Sequence, residues 1–452
     1  AKSGPERTRP SMSTLSELPS LRYIVVTVGT AGDVYPFLSL ALGLKKRGHQ
    51  VSFVTNTVLA PMAEALGLQA FGTGTAQEYH DMLDDPDLWH PRKSLGVLQR
   101  GFVAGCREAD DMPEYGPGAS PCMVIAHPMA FGIVAAFRQQ WPAMRVVVAH
   151  LAPSSLRSCD NPMQFGPFAI PAWFPETWRN WLWRQFDQPV DEAMLPALNT
   201  LRERWGQPAV PHLFEHIYQD ADHTLCLFPT WFCPPLAGWP TRLNMGDFQR
   251  FDPKPQAALA AELVQFLRSG AAPVVFTPGS AHRHAQVYFR RALQAVQRLG
   301  LRAIFLTSHV DHVPADLPAS VLWQAYVPLK TLLPQVAALV HHGGIGTTAE
   351  ALAAGTPQLV LPLAFDQFDN AQRVRRLGVG DFVQAPFWWP SLGVTAGVLT
   401  QRLRALLRSD TIKSRCQEVT TQWFSDQPRN EETLQVLEVM HPKLQHERPP
   451  HE

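Results

Sequence analysis

The sequence predicts an α/β protein built from two doubly wound halves, and three observations carry that expectation. Strand, helix and strand alternate with short links from residue 21 onward. The same alternation restarts at Pro273, after a Pro- and Gly-rich interval. The stretch Val340–Asn370, VHHGGIGTTAEALAAGTPQLVLPLAFDQFDN, then sets an apolar strand, a glycine loop, an Ala-rich helix and a second apolar strand in quick succession. Alternation with short links implies βαβ units and hence parallel sheets. A chain of 452 residues with 46% hydrophobic content suits two domains of about 200 residues, each with its own core.

The elements follow in order. Tyr23–Val28 is a β-branched run and reads as a buried strand. Gly29-Thr30-Ala31-Gly32-Asp33 is a turn. A helix is expected from about Val34 to Arg47, with Phe37, Leu38, Ala41, Leu42 and Leu44 at helical spacing and Gly48 ending it. Further strands are expected at Val51–Val54, Met123–Ala126 and Arg145–Ala149. Asp160–Phe186 breaks the rhythm. It holds Phe165, Phe168, Trp173, Phe174, Trp178, Trp181, Trp183 and Phe186 among four prolines, and reads as irregular. Two readings stand side by side: a packed connection with a few core tryptophans, or a greasy acceptor lid or membrane-facing ridge. Thr224–Pro229 reads as the last strand of the first half, and Pro234–Pro255 as a linker. The second half predicts strands at Pro273–Thr277, Arg302–Thr307, Val321–Trp323 and Ala337–His341, with a helix from about Ala285 to Arg298. After Asp426 the pattern Thr433, Val436, Leu437, Met440 is helical. The boundaries are thus a disordered leader 1–20, a first domain 21–235, a linker 236–256, a second domain 257–425, and a terminal helix and tail 426–452.

Composition excludes several classes. Lys plus Arg and Asp plus Glu are 39 each, so the chain lacks the basic excess of a nucleic-acid binder. The six cysteines are scattered with no C-x-x-C pair and read as reduced, mostly buried thiols of a cytoplasmic protein. No apolar run reaches the ~18 residues of a membrane span.

The chemistry concentrates in Val340–Asn370. Gly343, Gly344 and Gly346 let backbone amides approach a ligand closely. Thr347 and Thr348 open a helix whose first N–H groups lack internal partners, a ready site for a diphosphate. Glu350 lies one turn on, within reach of a sugar hydroxyl. A glycine-rich strand-to-helix turn alone is common, and His342 alone could simply end a strand. The ordered set Trp323-Gln324, His342, Gly344, Thr347, Glu350, Pro362, Asp366, Gln367 is far more specific. It resembles the nucleotide-sugar signature of the GT-B glycosyltransferases of family 1. The resemblance implies two Rossmann-like domains facing across a cleft, with a C-terminal helix crossing back to the first domain. It also implies a donor in the second domain and an acceptor in the first. His342 and Thr347 would then contact the diphosphate, Glu350 the ribose, and Asp366 and Gln367 the sugar hydroxyls, with Ser280 in a second donor loop. Trp323 is a candidate to stack on a pyrimidine base or else a strand-end core residue, and Gln324 would sit near the ribose. Asp366 could equally be a plain helix cap. No Asp-x-Asp motif stands on a donor-side loop, so no metal is expected. The helix N-terminus after Gly346 and His342 would meet the leaving diphosphate's charge instead.

Asp33 is the candidate base for the acceptor hydroxyl, because it stands where the first strand hands over to its helix. A plain capping carboxylate is the alternative. Gly29–Val34 resembles the glycine-Asp loops of bacterial family-1 enzymes; the His-Asp dyad of many plant relatives has no histidine counterpart at this turn. His127 and His150 end later strands and could face the acceptor. Phe165, Trp173 and Trp178 are candidate acceptor contacts. At closer range, GTAGDVYPFLSLALGLKKRGH (Gly29–His49), CLFPTWFCPP (Cys226–Pro235) and FDQFDNAQRVRRLGVG (Phe365–Gly380) resemble the bacterial rhamnosyltransferases of rhamnolipid synthesis. That implies transfer from dTDP-L-rhamnose to a β-hydroxyalkanoyl lipid, with peripheral membrane contact as a further expectation. One departure, Thr347-Thr348-Ala349-Glu350, is closer to the general family pattern and keeps UDP-glucose and other donors open. The sequence thus anticipates a dTDP- or UDP-linked nucleotide-sugar co-substrate and no resident cofactor. The alternatives are a UDP-glucose-type transferase acting on a sterol or other secondary-metabolite alcohol, a GT-B UDP-sugar 2-epimerase, and a nonenzymatic binding module.

Overall fold

The computed structural model describes residues 20–90, 93–94, 96–98, 122–141, 144–158, 163–165, 168–171, 173–254, 257–384, 394–425 and 429–441. The expected leader and the extreme tail lie almost wholly outside these residues, as do Cys106 and Cys159.

The first sheet contains β1 (Arg22–Val26), β2 (Gln50–Asn56), β3 (Gln69–Thr73), β4 (Cys122–Ala126) and β5 (Arg145–His150). A small antiparallel hairpin, β6 (Met163–Phe165) with β7 (Phe168–Ile170), stands apart. β8 (His223–Cys226) and β9 (Leu243–Met245) complete the sheet, in the order β3-β2-β1-β4-β5-β8-β9. The second sheet is β10 (Val274–Thr277), β11 (Ala303–Leu306), β12 (Val321–Gln324), β13 (Ala338–His341), β14 (Gln358–Val360) and β15 (Gly380–Phe382), in the order β12-β11-β10-β13-β14-β15. Every pairing within the two large sheets is parallel. The central strands are buried on both faces, which is why they read as near-continuous Val, Ile and Ala runs. This is the expected pair of doubly wound domains.

Strand order fixes where ligands go. In each sheet the connectivity reverses beside the first strand, between β1 and β4 and between β10 and β13. Open α/β sheets bind ligands at the carboxyl ends of the strands at such a switch point. Val26 of β1 is level with Ala126 of β4, so Asp33 and His127 leave the sheet side by side. Thr277 of β10 is level with His341 of β13, so the Ser280 loop and His342 do the same.

Three expectations are corrected. The stretch 236–256 is not only linker, because β9 adds a seventh strand to the first sheet, with Leu225 level with Asn244. Thr224–Pro229 is therefore not the last strand. The aromatic segment is not irregular throughout: a helix runs from Glu176 to Arg204 through Pro189 and Pro196. A proline inside a helix costs about 3 kcal/mol, but Trp183, Phe186, Val190 and Met194 recur at helical spacing along one cavity-lining stripe, and that periodicity wins.

The terminal helix Arg429–Met440 packs on the first domain's helix Ala31–Lys46. Glu438, 2% exposed, accepts two hydrogen bonds from Arg47 at 2.8 Å and shares a 2.7 Å contact with His49 Nε2. Those partners hold its carboxyl below the usual carboxylate range despite burial. His441 Nε2 donates to the carbonyl of Arg22 at 2.9 Å, and an added Cβ at Gly43 would come within 2.9 Å of Leu434. No helix among the described residues is long and apolar enough to cross a membrane.

Candidate active site

One cavity of about 1500 Å³ lies between the carboxyl ends of the two sheets. Single-ligand pockets are usually about 300–1,000 Å³, so this one has room for two substrates. Asp33, His127, Ser280, His342, Gly344, Gly346, Thr347, Glu350, Asp366 and Gln367 all line it.

On the second-domain side, strand alternation separates the two adjacent histidines. His341 points into the core, where its Nδ1 accepts from Gly343 N–H at 3.2 Å and its Nε2 meets Gln358 Oε1 at 3.1 Å. His342 opens to the cavity. Its ring lies against two glycine backbones: a Cβ at Gly279 or Gly344 would come within 2.5 Å of it. Burial lowers its pKa to about 4, so the ring is neutral near pH 7, and its Nδ1 is enclosed without a partner. The helix Ile345–Ala354 begins immediately after, with Gly344 as N-cap and no side chain satisfying the cap. Its leading N–H groups therefore face the cavity as an anion site. Thr348 is turned away, its hydroxyl donating to Gly344 O at 3.0 Å.

Glu350 accepts a 2.9 Å hydrogen bond from Arg250 Nε through Oε1, while Oε2 is buried with no partner. Burial raises its pKa, against the pull of Arg250. Gln367 uses its side-chain oxygen to accept from Leu363 N–H and Ala364 N–H at 2.8 and 3.1 Å, which frames the loop before it. Asp366 stands at the N-cap position of the helix Gln367–Arg376, yet its side chain makes no cap hydrogen bond; Oδ2 accepts from Asn370 at 2.8 Å. Burial raises its pKa to about 7, helped by the charge of Asp33. The preceding Phe365 holds φ at 56°, a strained conformation for a non-glycine residue, of a kind that clusters at ligand clamps.

On the first-domain side, Asp33 closes a capping box: its Oδ2 accepts from Thr30 N–H at 2.8 Å and from the Thr30 hydroxyl at 3.1 Å. The position needs Gly29, whose φ is +124° and whose added Cβ would fall 2.4 Å from that oxygen. His127 accepts the N–H of Met129 on Nδ1 at 3.2 Å. Its neutral ring therefore carries its proton on Nε2 and acts as a donor, which leaves Asp33 as the proton acceptor of this corner.

Several candidates fall elsewhere. Trp323 and Gln324 are not among the cavity-lining residues; the Trp323 indole N–H is used on Thr307 O at 3.0 Å. Tyr326, from the loop beyond, lines the cavity instead, its hydroxyl bonded to Asp252. His150 is 1% exposed and sits behind Ser155, whose hydroxyl it contacts at 2.8 Å. Trp173 and Trp178 are 79% and 56% exposed outside the cavity, while Trp183 and Phe186, further along the same segment, line it. Phe165 ends β6, and its side chain lies outside the described residues. Among the described residues one group could hold a metal ion, His309, Asp311 and His312, whose ligand atoms lie within 4.8 Å of one another; none of the three is a cavity-lining residue. Sequence reasoning missed Arg250 and Tyr326, because one lies in a presumed linker and the other in a loop with no pattern.

Comparison with known proteins agrees with this geometry. Residues 23–93 match the glycosyltransferase family 28 N-terminal domain, and residues 292–440 match the C-terminal domain of erythromycin biosynthesis protein CIII-like proteins. The O-mycaminosyltylonolide 6-deoxyallosyltransferase of Streptomyces fradiae is 26% identical, over 79% of this chain and 84% of its own. The sterol 3-beta-glucosyltransferase of Komagataella phaffii is 27% identical over 83% of this chain, which spans only 32% of that longer protein. Among solved structures, the calicheamicin glycosyltransferase superposes with a TM-score of 0.65 at 19% identity, covering 93% of this chain and 98% of its own. The spinosyn rhamnosyltransferase complexed with thymidine diphosphate superposes at 0.62 and 18%, covering 92% of this chain and 100% of its own. Two facing parallel-sheet domains, an N-terminal match on the Asp33 side and a C-terminal match on the His342 side thus converge, and the chain is a glycosyltransferase of the GT-B fold.

Proposed function

We propose that the protein moves L-rhamnose from dTDP-L-rhamnose onto the hydroxyl of a β-hydroxyalkanoyl lipid, with inversion and without a metal. One observation carries this reading: a single cavity joins the anion site at Gly344–Thr347 to an apolar wall of Trp183, Phe186, Val190 and Met194. Asp33 takes the acceptor's proton. The freed oxygen attacks the anomeric carbon from the side opposite the diphosphate, and the bond to the diphosphate oxygen breaks as the new one forms. The growing charge on the leaving group meets the helix N–H groups and His342. The similar proteins named for 6-deoxyallosyl and rhamnosyl transfer, one of them holding thymidine diphosphate, support a 6-deoxy sugar on this nucleotide. Incubation with dTDP-L-rhamnose and a 3-hydroxydecanoyl lipid should release dTDP and a rhamnosylated lipid, and only with both substrates present. No product with any β-hydroxyacyl acceptor would overturn the acceptor assignment. The likeness to the sterol 3-beta-glucosyltransferase favours one second reading, UDP-glucose with a sterol, and product from that pair alone would establish it.

Four expected results follow from the site. Transfer should persist in excess EDTA, because the helix N-terminus and His342 supply the positive end that a metal supplies elsewhere; loss of activity restored by Mg²⁺ or Mn²⁺ would refute this. Acceptor affinity should climb with acyl length, at about 0.8 kcal/mol per buried methylene, until the apolar wall is covered. Trp183→Ala or Phe186→Ala should raise the acceptor KM more than the donor KM. Trp173→Ala and Trp178→Ala should leave the KM for detergent-dispersed acceptor unchanged while weakening retention on lipid vesicles, since Trp173, Trp178 and Trp181 form an exposed aromatic ridge suited to a membrane interface. Equal use of short polar alcohols would remove the lipid reading and leave the transferase intact.

A further inference from the structure

The described parts of the stretch 236–256, read from sequence as a linker, reach the donor site through Arg250. Its Nε donates to Glu350 Oε1 at 2.9 Å, and both side chains are mostly buried in the cavity wall. The arginine is held from other sides as well. Ser39 of the first domain donates to its carbonyl at 3.2 Å, and its guanidinium stands 5.6 Å from the Trp423 ring centroid. The carboxylate is thus pinned at Oε1, with the guanidinium standing against that oxygen, while Oε2 is buried and unpartnered. Glu350 lies one turn beyond the helix N-terminus, where a furanose would follow the diphosphate.

A ribonucleotide offers two adjacent hydroxyls, which a free carboxylate accepts with two oxygens. A 2′-deoxyribonucleotide offers one. We infer that Arg250 sets nucleotide selectivity: by standing against Oε1 of Glu350 it fills the place that a second hydroxyl would take and leaves Oε2 to meet the ligand, which suits the lone 3′-hydroxyl of a deoxyribonucleoside diphosphate. A 2′-hydroxyl brought to the same place would lose water without gaining a full partner, the kind of mismatch that binding sites reject. Arg250 acts through Glu350 and is a positioning residue. The inference rests on the donor-site reading above.

Calorimetric titration with UDP and dUDP tests it, because the two share a base and differ only at the 2′ position. The wild-type protein should bind dUDP about tenfold more tightly. Arg250→Met, which keeps the stem and removes the guanidinium, should weaken dUDP binding and bring the ratio close to one; Arg250→Lys should fall between. Glu350→Gln should also collapse the ratio, and adding Arg250→Met to it should change nothing further. A wild-type preference for UDP, or a ratio unmoved by Arg250→Met in a protein of unchanged melting temperature, overturns the inference. A purely structural arginine would lower the melting temperature and leave the ratio intact. Binding of neither nucleotide by the wild-type protein would instead overturn the donor-site reading.

Discussion

Replacing Asp33 with asparagine is expected to lower kcat by ~10²–10⁴, the usual weight of a general base, with little change in melting temperature. The asymmetry follows from the capping box. An asparagine side-chain oxygen can still accept from Thr30 N–H and from its hydroxyl, so the start of the helix Ala31–Lys46 survives. It cannot take a proton. His127 stands beside it but cannot substitute, because its Nδ1 lone pair is committed to Met129 N–H. Measuring kcat and thermal stability together separates the two roles of this carboxylate. Retained turnover in Asp33→Asn would return the residue to a cap and reopen the search for the base.

His342→Ala is expected to reduce kcat by roughly 10²–10³, the loss seen when one preorganised donor to a developing anion is removed. The ring is already neutral, enclosed and held against Gly279 and Gly344, so it needs no rearrangement as charge builds on the diphosphate. Because a neutral ring can donate from only one nitrogen, the effect should fall more on kcat than on the affinity for dTDP. Unchanged turnover and nucleotide binding would remove His342 from the donor site. The neighbouring His341→Ala should behave differently, lowering stability through its lost bonds to Gly343 and Gln358.

What the sequence revealed follows from which physical signals are local. Buried parallel strands announce themselves as apolar runs, so both sheets were readable, except for the edge strands β3, β9 and β15, whose short stretches Gln69–Thr73, Leu243–Met245 and Gly380–Phe382 carry no apolar run long enough to notice. The donor loop was readable because its chemistry is contiguous: glycine space, helix N-terminus and Glu350 lie within one turn of each other. Trp323 was misplaced because residue type says nothing about which way a ring turns; its indole N–H found Thr307 O. The helix Glu176–Arg204 was hidden by its prolines, and with it the division of aromatics into an outer ridge and an inner wall. Arg250 was invisible because its partner lies a hundred residues away.

The seat of the terminal helix has a consequence for how the protein is made. Leu434 and Glu438 cover a face of the helix Ala31–Lys46, and His441 reaches the first strand, so the first of the two domains to leave the ribosome is finished by residues that leave only after the whole of the second. Chains usually fold domain by domain as they emerge. Here the nascent first domain must wait, with Arg47, His49 and the apolar ground around Leu44 uncovered, until the second domain has been synthesised. A ribosome that stalls in the second half therefore leaves behind a sticky half-protein rather than a finished module, and the enzyme's yield in a cell depends on completing every polypeptide it begins.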